Sequence, residues 1–405
     1  MALSITEVFD IINQQIHTLS SETIPIEESL GRTVWSDYNA EFDLPRFDNS
    51  AMDGYAIKLC DAGRELQSGR VIYAGDASNF ILKEGEAIRI MTGAPIPQGC
   101  EAVVPIENVE IFEKSIIVPT PIKKNAHIRY AGEDMKKAQT YIYRGESVSA
   151  YTIALFATQG ISHIRVVRVV RVAVFGTGDE LRPHYEKIQP HQLYNSNAPM
   201  FLARAKELGC EVSYIEGSSD TIESLKSSII EALEADLIIT SGGVSVGDKD
   251  FTKEAFRQLG METLVSGIDI KPGKPTTIGK IDQTIIVNLP GNPLASMVNY
   301  ELFVKLIILK LSGASSCYHQ SIETKIKEEY KIKRGKYTVT LGVFDGATFE
   351  PLPLQAPGMV SPIARADAMI ITTPEVSLLQ KGESVKMIPI KFILSSKEER
   401  ELFNS

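Results

Sequence analysis

"VVRVVRVAVFGTGDEL", residues 166–181, is the stretch whose reading decides the fold. A strand runs to about Phe175, and a Gly-rich turn follows it. From there strands and helices alternate. Helix "NAPMFLARAKELG" leads to strand "CEVSYIEG", and helix "TIESLKSSIIEALEA" leads to strand "DLIITSGG". Helix "FTKEAFRQLG", a lysine-bearing loop, strand "TIIVNLPG" and helix "PLASMVNYELFVKLIILKLSG" complete the series. Such alternation predicts a mostly parallel sheet covered by helices, with ligands bound beyond the carboxyl ends of its strands. The loops predicted at those ends, "GTGDE", "SGGVSVGD" and "LPGNP", are the Gly-rich ones, and that coincidence marks a site.

Outward from this α/β core, at residues 166–315, the texture changes in both directions. Residues 41–134 consist of short apolar runs split by Gly and Pro, as in "GEAIRIMTGAPIPQGCEAVVPIENVEIF", and read as an inserted β domain. The flanks 1–40 and 135–165 carry helical patterns and read as one discontinuous helical and linker domain. Ser4 and Glu7 form a capping box ahead of the stripe Ile5, Val8, Ile12 and Ile16. Residues 316–405 return to β, with alternation in "KYTVTLGVF" and "AMIITTPEV" predicting a small barrel or sandwich. The expected class is a multidomain α/β plus β protein, in keeping with 405 residues, enough for roughly two to four cores.

A formal charge of −9 without a basic block argues against nucleic acid as partner. The N-terminus is no signal peptide, and "LFVKLIILKL" is too short to span a bilayer, so no membrane association is expected. Cys60, Cys100, Cys210 and Cys317 are scattered, as in a reduced, cytoplasmic protein.

Several positions in this acidic chain carry chemistry. "GIDIKPGKPTTIG" braces Lys271 and Lys274 with Pro272 and Pro275 around Gly273, which lowers the entropic cost of holding two cations for an anion. "SGGVSVGDK" has the glycine spacing of a phosphate-binding P-loop at Gly242 and Gly247. Asp248, however, stands where that motif requires Lys, which excludes the nucleoside-triphosphatase reading. Gly242 and Gly243 serve either a tight turn or backbone N–H donation to an anion. Asn292 and Pro293, after Pro290, open a helix whose N-terminus either is merely capped or also attracts an anion. Asp220, with Glu223, makes a capping pair on local grounds, and Asp250 serves the same purpose for the next helix. Glu180 has no capping role, and carboxylates beside phosphate-binding loops commonly hold Mg²⁺. Upstream, Asp48 and Asn49 read as satisfying their own turn, whereas a turn does not require Asp53; "RYAGEDMKK" adds Glu133 and Asp134.

"FDNSAMDGYA", "RIMTGAPIPQGCEAVV", "GEDMKK", "GTGDEL", "SGGVSVGDKDF", "KPGKP" and "LPGNPLAS" occur in the order seen in molybdopterin molybdenumtransferases. The chain resembles these molybdenum cofactor insertases, to which the gephyrin E domain is related. The resemblance is specific across residues 47–296 and thins after about residue 316. It implies insertion of molybdate into adenylylated molybdopterin with release of AMP, assisted by Mg²⁺, in an elongated homodimer whose partner completes the site. It implies functional roles for Asp53, Asp134, Glu180 and Asp250; of these carboxylates we take Glu180 and Asp250 as the first choices for holding the metal. Thr92, Asp220, Gly242, Gly243, Lys271, Lys274, Pro290, Asn292 and Ser361 are implied in substrate binding. Contact with the molybdopterin adenylyltransferase or with apo-molybdoenzymes is a further implied partnership. Two positions depart from the pattern: Gly335-Lys336, preceded by Arg334, stands where Gly-Arg is usual, and Asp367 where Asn is common. Rival readings are the preceding adenylylation step, which shares the α/β domain, and a partner-binding scaffold.

Overall fold

In a computed structural model the run at 166–181 becomes two strands rather than one, His163–Val167 and Arg171–Gly176. The break has a cause. Arg168 turns its guanidinium onto both oxygens of Asp236, at 2.6 and 2.8 Å, and Asp236 also accepts the Arg171 N–H at 2.9 Å. Asp236 is nearly buried, so this two-pronged pair holds the chain where it passes from one sheet to the next. The structure describes residues 2–77, 79–176, 181–215, 221–242 and 251–391.

By packing, the chain separates into two units, Met1–Trp35, Gly145–Ala150 and His163–Ser405 in one, Ser36–Arg144 and Tyr151–Ser162 in the other. The first holds a six-stranded sheet in the order Glu211–Tyr214, Arg171–Gly176, Leu237–Ser241, Thr284–Leu289, Thr277–Ile281, Glu262–Ser266. The first four strands are parallel, as the alternation predicts. The last two run antiparallel, so the sheet is mixed at one side. The sequence reading missed both of these strands, because their short runs flank the prolines of the lysine loop and carry no helix between them.

Helix Ile5–Gln15 has the expected capping box, with Ser4 N–H to Glu7 Oε2 at 2.7 Å and Glu7 N–H to Ser4 Oγ at 3.2 Å; Val8, Ile12 and Ile16 bury its stripe. The long apolar helix after Asn292 is three pieces: helix Pro293–Asn299, a π-helical turn Tyr300–Val304, and helix Lys305–Leu311. Glu301 in the π turn is 2% exposed and takes Arg204 in two bonds of 2.8 and 2.9 Å. Breaking such a buried pair from one side costs about 3–5 kcal/mol. Beyond it, Ile322–Ile326, Thr348–Pro351, Thr338–Phe344, Ala368–Thr372 and Ser384–Pro389 close a five-stranded barrel, deciding between the two architectures expected there.

The second unit carries a six-stranded sheet in the order Ala102–Pro105, Gly54–Ile57, Glu86–Ile90, Glu65–Ile72, Ser115–Ile117, Glu110–Ile111. Tyr55 and Ile57 pack on one face and Ala56 on the other, which is why this strand is buried throughout. Among the described residues no helix is long and apolar enough to cross a membrane.

Candidate functional site

The strand register builds the first half of the site. Gly176 lies beside Ser241, and Ser241 beside Leu289. One row back, Thr240 lies beside Asn288 and Asn288 beside Thr277. The carboxyl ends of three parallel strands and the start of an antiparallel one therefore share an edge. The turn after Leu289 and the lysine loop 267–276 adjoin this edge. A hydrogen-bonded cluster ties this edge together: Asn197 Nδ2 donates to Ser241 Oγ at 2.7 Å and to the Gly291 carbonyl at 2.8 Å. Ser296 Oγ donates to the carbonyl of buried Pro290, which thus serves as a backbone acceptor. Gly242 and Gly291 meet so closely that a Cβ on Gly291 would lie 3.6 Å from the Gly242 Cα.

The lysine loop is the tip of a hairpin between the two antiparallel strands, and its backbone is heavily tied. Ile268 N–H donates to the Lys274 carbonyl at 2.8 Å and Gly267 N–H to the Thr276 carbonyl at 2.9 Å. Leu3 bridges the hairpin base through Leu3 N–H to Gly267 O and Asp269 N–H to Leu3 O. Gly273, at φ +119°, lies against Asn299 so tightly that a Cβ would meet its Nδ2 at 1.8 Å. Asn299 Nδ2 in turn donates to the Gly273 carbonyl at 3.3 Å and to Ala295 O at 2.8 Å. Lys271 and Lys274 stand exposed on this fixed frame.

The barrel reaches the same loop. Lys271 N–H donates to Tyr337 O and Val339 N–H to Lys271 O, both at 2.8 Å, so the segment "RGKY" at 334–337 abuts Lys271 along the backbone. A cavity of about 170 Å³ opens here, walled by Lys271, Lys331, Lys333, Tyr330, Thr338 and Pro357 among others. Pro357 O accepts the Leu294 N–H, which links that wall to the helix start at Asn292. Asn292 occupies the cap position with its side chain making no capping bond, so the capping role expected of that side chain is not filled. Ser361 is exposed at the first turn of helix Ser361–Arg365. Asp367 is not a loose acid: its Oδ1 accepts the Phe344 N–H at 2.8 Å, and partial burial raises its pKa.

In the second unit, two singled-out residues meet. Asp53 Oδ1 accepts both the Thr92 N–H at 2.7 Å and the Thr92 hydroxyl at 2.8 Å, and these bonds lower the carboxyl's pKa. The next residue, Gly54, lets its strand close on Ala102–Pro105, since a Cβ there would meet the Val104 carbonyl at 2.1 Å. Asp48 departs from expectation: it accepts the Ala131 N–H at 2.8 Å and so stabilises a distant turn rather than its own. Asn49 Nδ2 does serve its own turn, through the Phe47 carbonyl. Glu133 closes turn 130–133 by accepting the Tyr130 N–H at 3.0 Å, and the neighbouring Asp134 is exposed.

Comparison with known proteins agrees with this geometry along the chain. Residues 3–160 match the family model for the MoeA N-terminal region (domain I and II), 173–310 that of a probable molybdopterin binding domain, and 326–390 that of the MoeA C-terminal region (domain IV). A molybdopterin molybdenumtransferase of Staphylococcus aureus (strain COL) is 33% identical over 393 residues, 93% of each chain. The Staphylococcus epidermidis protein of that name (strain ATCC 12228) is 33% identical over 95% of each. The chain belongs to the molybdopterin molybdenumtransferase (MoeA) family. A solved structure of a molybdopterin biosynthesis MoeA protein from Pyrococcus horikoshii, 28% identical, superposes with a TM-score of 0.84 over 97% of this chain and 100% of that one.

Of the positions the MoeA resemblance implies, the described edge unites Gly242, Pro290, Asn292 and the lysine loop, and the β unit joins Asp53 to Thr92. Glu180, Asp220, Gly243 and Asp250 lie outside the described residues. The capping pair read for Asp220 has another owner: Thr221 Oγ1 accepts the Ser224 N–H and caps helix Ile222–Ala232. Sequence reading missed Asn299, Asn197 and Ser241, the buried polar residues that hold the loops. Polar side chains inside otherwise apolar helices and strands were the available signal.

Proposed function

We propose that this protein inserts molybdenum, delivered as molybdate, into adenylylated molybdopterin, releasing AMP and forming the molybdenum cofactor. The observation that carries the reading is the lysine hairpin itself. Two exposed lysines stand on a backbone fixed by buried Asn299, beside the edge where the strands ending at Gly176, Ser241 and Leu289 lie side by side within the residues that match a probable molybdopterin binding domain. A fixed frame with free cationic tips suits a small dianion that must be released as product chemistry proceeds. Lys271 and Lys274 hold the oxyanion, with Ser361 as a hydroxyl donor, so that proximity replaces a dilute encounter with the pterin dithiolate. Gly242, Gly243 and the turn Pro290–Asn292 receive the nucleotide phosphates, with Gly242 held at the edge through its own N–H to the Leu289 carbonyl at 3.2 Å.

Glu180 and Asp250 are the proposed ligands of Mg²⁺. The fit rests on register: the strands preceding them end side by side, Gly176 against Ser241, and carboxylates are the oxygen donors this ion prefers. When bound, Mg²⁺ offsets pyrophosphate charge and polarises a phosphoryl oxygen. Asp220, relieved of capping by Thr221, is available to the nucleotide end of the substrate. Asp53, kept ionised by Thr92, and exposed Asp134 take up or pass protons as oxo groups leave as water. We place them in trans, in a homodimer acting in the cytoplasm, with the adenylyltransferase and apo-molybdoenzymes as contacts before and after the reaction.

The test is reconstitution. Purified protein with adenylylated molybdopterin, Mg²⁺ and molybdate is expected to release AMP and yield cofactor that activates an apo-molybdoenzyme. Pyrophosphate release from ATP and molybdopterin without molybdate would instead mark an adenylyltransferase, and partner binding with no AMP would mark a scaffold.

A further inference from the structure

The β unit holds a group of donors that the reaction above does not employ. Leu59–Asp61 forms one 3₁₀ turn, whose first N–H, that of Leu59, is bound by Glu101 at 2.9 Å. Cys60 on this turn is exposed, whereas Asp61 is fully buried at 0%. Asp61 Oδ2 accepts the Gly85 N–H at 3.2 Å, which draws in the turn carrying Glu84. Asp61 Oδ1 is buried with no hydrogen-bond partner; Arg64 Nη1 stands 3.9 Å away, beyond bonding reach, on a side chain 63% exposed. Leaving such an oxygen unmet costs about 1–3 kcal/mol or more for a charged group. The Cys60 thiol sulfur, one Asp61 oxygen and one Glu84 oxygen all lie within 4.8 Å of one another.

We propose that Cys60, Asp61 and Glu84 bind a divalent cation of the Zn²⁺ type. Zinc holds sulfur at about 2.3 Å and carboxylate oxygen at about 2.0–2.2 Å, so tetrahedral donors lie about 3.4–3.7 Å apart; the three present, within 4.8 Å, draw in by up to about 1 Å through the exposed side chains of Cys60 and Glu84. A thiolate among the donors disfavours Mg²⁺ and Ca²⁺, which take oxygen shells, and selects a softer ion. The thiolate and two carboxylates bring three negative charges to the ion's two positive ones, and an ion held through Oδ1 gives that orphaned Asp61 oxygen the partner it lacks. Three protein donors leave a fourth position for water. Gly85, at φ +76°, shapes the turn that aims Glu84 and gives its N–H to Asp61, so the carboxylates are arranged before the ion arrives. Binding displaces the thiol proton, and affinity therefore rises with pH.

Metal-free full-length protein titrated with Co²⁺ is expected to develop a thiolate-to-cobalt absorption band saturating at one equivalent, displaced by Zn²⁺ and not by Mg²⁺. Zn²⁺ is also expected to slow modification of Cys60 by a thiol reagent. That readout is clean because Cys210 and Cys317 are buried and burial pushes the Cys100 thiol up to about 11. Cys60→Ser abolishes the band. Glu84→Gln, an exposed and structurally mild change, weakens Zn²⁺ binding by at least the roughly 10- to 100-fold typical of groups around a metal. Absence of band and protection in the unaltered protein, Mg²⁺ displacing Co²⁺ as well as Zn²⁺ does, or unchanged affinity in Cys60→Ser and Glu84→Gln would overturn the site.

Discussion

The lysine hairpin and the Asp53 turn both present charge to solvent, yet they are held in opposite ways. In the hairpin the geometry belongs to the backbone: carbonyls and N–H groups of 267–276 pair with one another, with Leu3, with Tyr337 and Val339, and with buried Asn299. The charged side chains take no part in that frame. At Asp53 the charged side chain is itself the tie, since its carboxylate accepts both bonds from Thr92. Charge and geometry thus sit on different groups in the first region and on a single side chain in the second.

The largest effect expected from this contrast is at Gly273. Gly273→Ala forces a Cβ onto Asn299 at a backbone angle that side chains rarely adopt, and should cost about 2–5 kcal/mol in urea unfolding along with activity. Adding Asn299→Ala should recover part of the loss by clearing the clash; equal or greater loss in the double variant would show that the frame is not set by this contact. Lys271→Ala with Lys274→Ala should do the reverse. Stability should stay within about 0.5 kcal/mol, as for exposed substitutions. The molybdate concentration for half-maximal cofactor formation should rise by about tenfold or more, since each charge-assisted bond is worth about 1.5–3 kcal/mol. Unchanged molybdate dependence would remove these lysines from the site.

The same contrast explains what could be read from the sequence. Alternating apolar segments gave the parallel strands, and Gly-rich ends gave the edge at which Gly242 and Gly291 meet. The lysine loop was legible as stiffened and cationic from Pro272, Gly273 and Pro275. Its place as the tip of an antiparallel hairpin was not, because strands Glu262–Ser266 and Thr277–Ile281 are short and specified by pairing partners far along the chain. Asn299 stood out as a polar residue in an apolar helix, but its role did not: a buried amide acquires meaning only beside the glycine it touches. Asp48, Asp220 and Asp53 show the limit for acids. Local pattern offers Asp48 its own turn, Asp220 a cap and Asp53 no local role; long-range contacts reveal that Asp48 serves a remote turn and that Asp53 takes Thr92, while the neighbouring Thr221 is the residue that caps.

At Asp53, substitution should separate charge from shape. Asp53→Asn keeps an oxygen for the Thr92 N–H and loses the negative charge, so the fold should survive while cofactor formation falls by about 10²-fold, the scale of one proton-transfer group. Full activity would reduce Asp53 to a turn residue. Thr92→Val removes the hydroxyl bond and keeps the backbone one, so the Asp53 pKa should rise part of the way to its ordinary value. A depressed carboxyl contributes above its unfolded pKa and loses that contribution as pH falls through the folded one. The acid limb of the activity profile should therefore move to higher pH in Thr92→Val, and carboxyl titration by NMR reports the shift directly.

Asp367 offers the smallest and most discriminating comparison, because here an acid supplies an acceptor without needing its charge. Burial raises its pKa, while the Phe344 N–H and Lys391 favour the ionised form without outweighing it. A carboxyl whose folded pKa exceeds its unfolded value binds its proton more tightly in the native state. Its contribution is thus full below the unfolded pKa of about 3.9 and declines as pH rises through the folded pKa. Asp367→Asn retains the oxygen that Phe344 requires and has no charge to desolvate. Its Tm should equal or exceed that of the unaltered protein near neutral pH, and the gap should close as the medium is acidified below that unfolded pKa. A lower Tm at neutral pH would mean that attraction to Lys391 outweighs desolvation and that, in the barrel as at Asp53, one carboxylate supplies both charge and geometry.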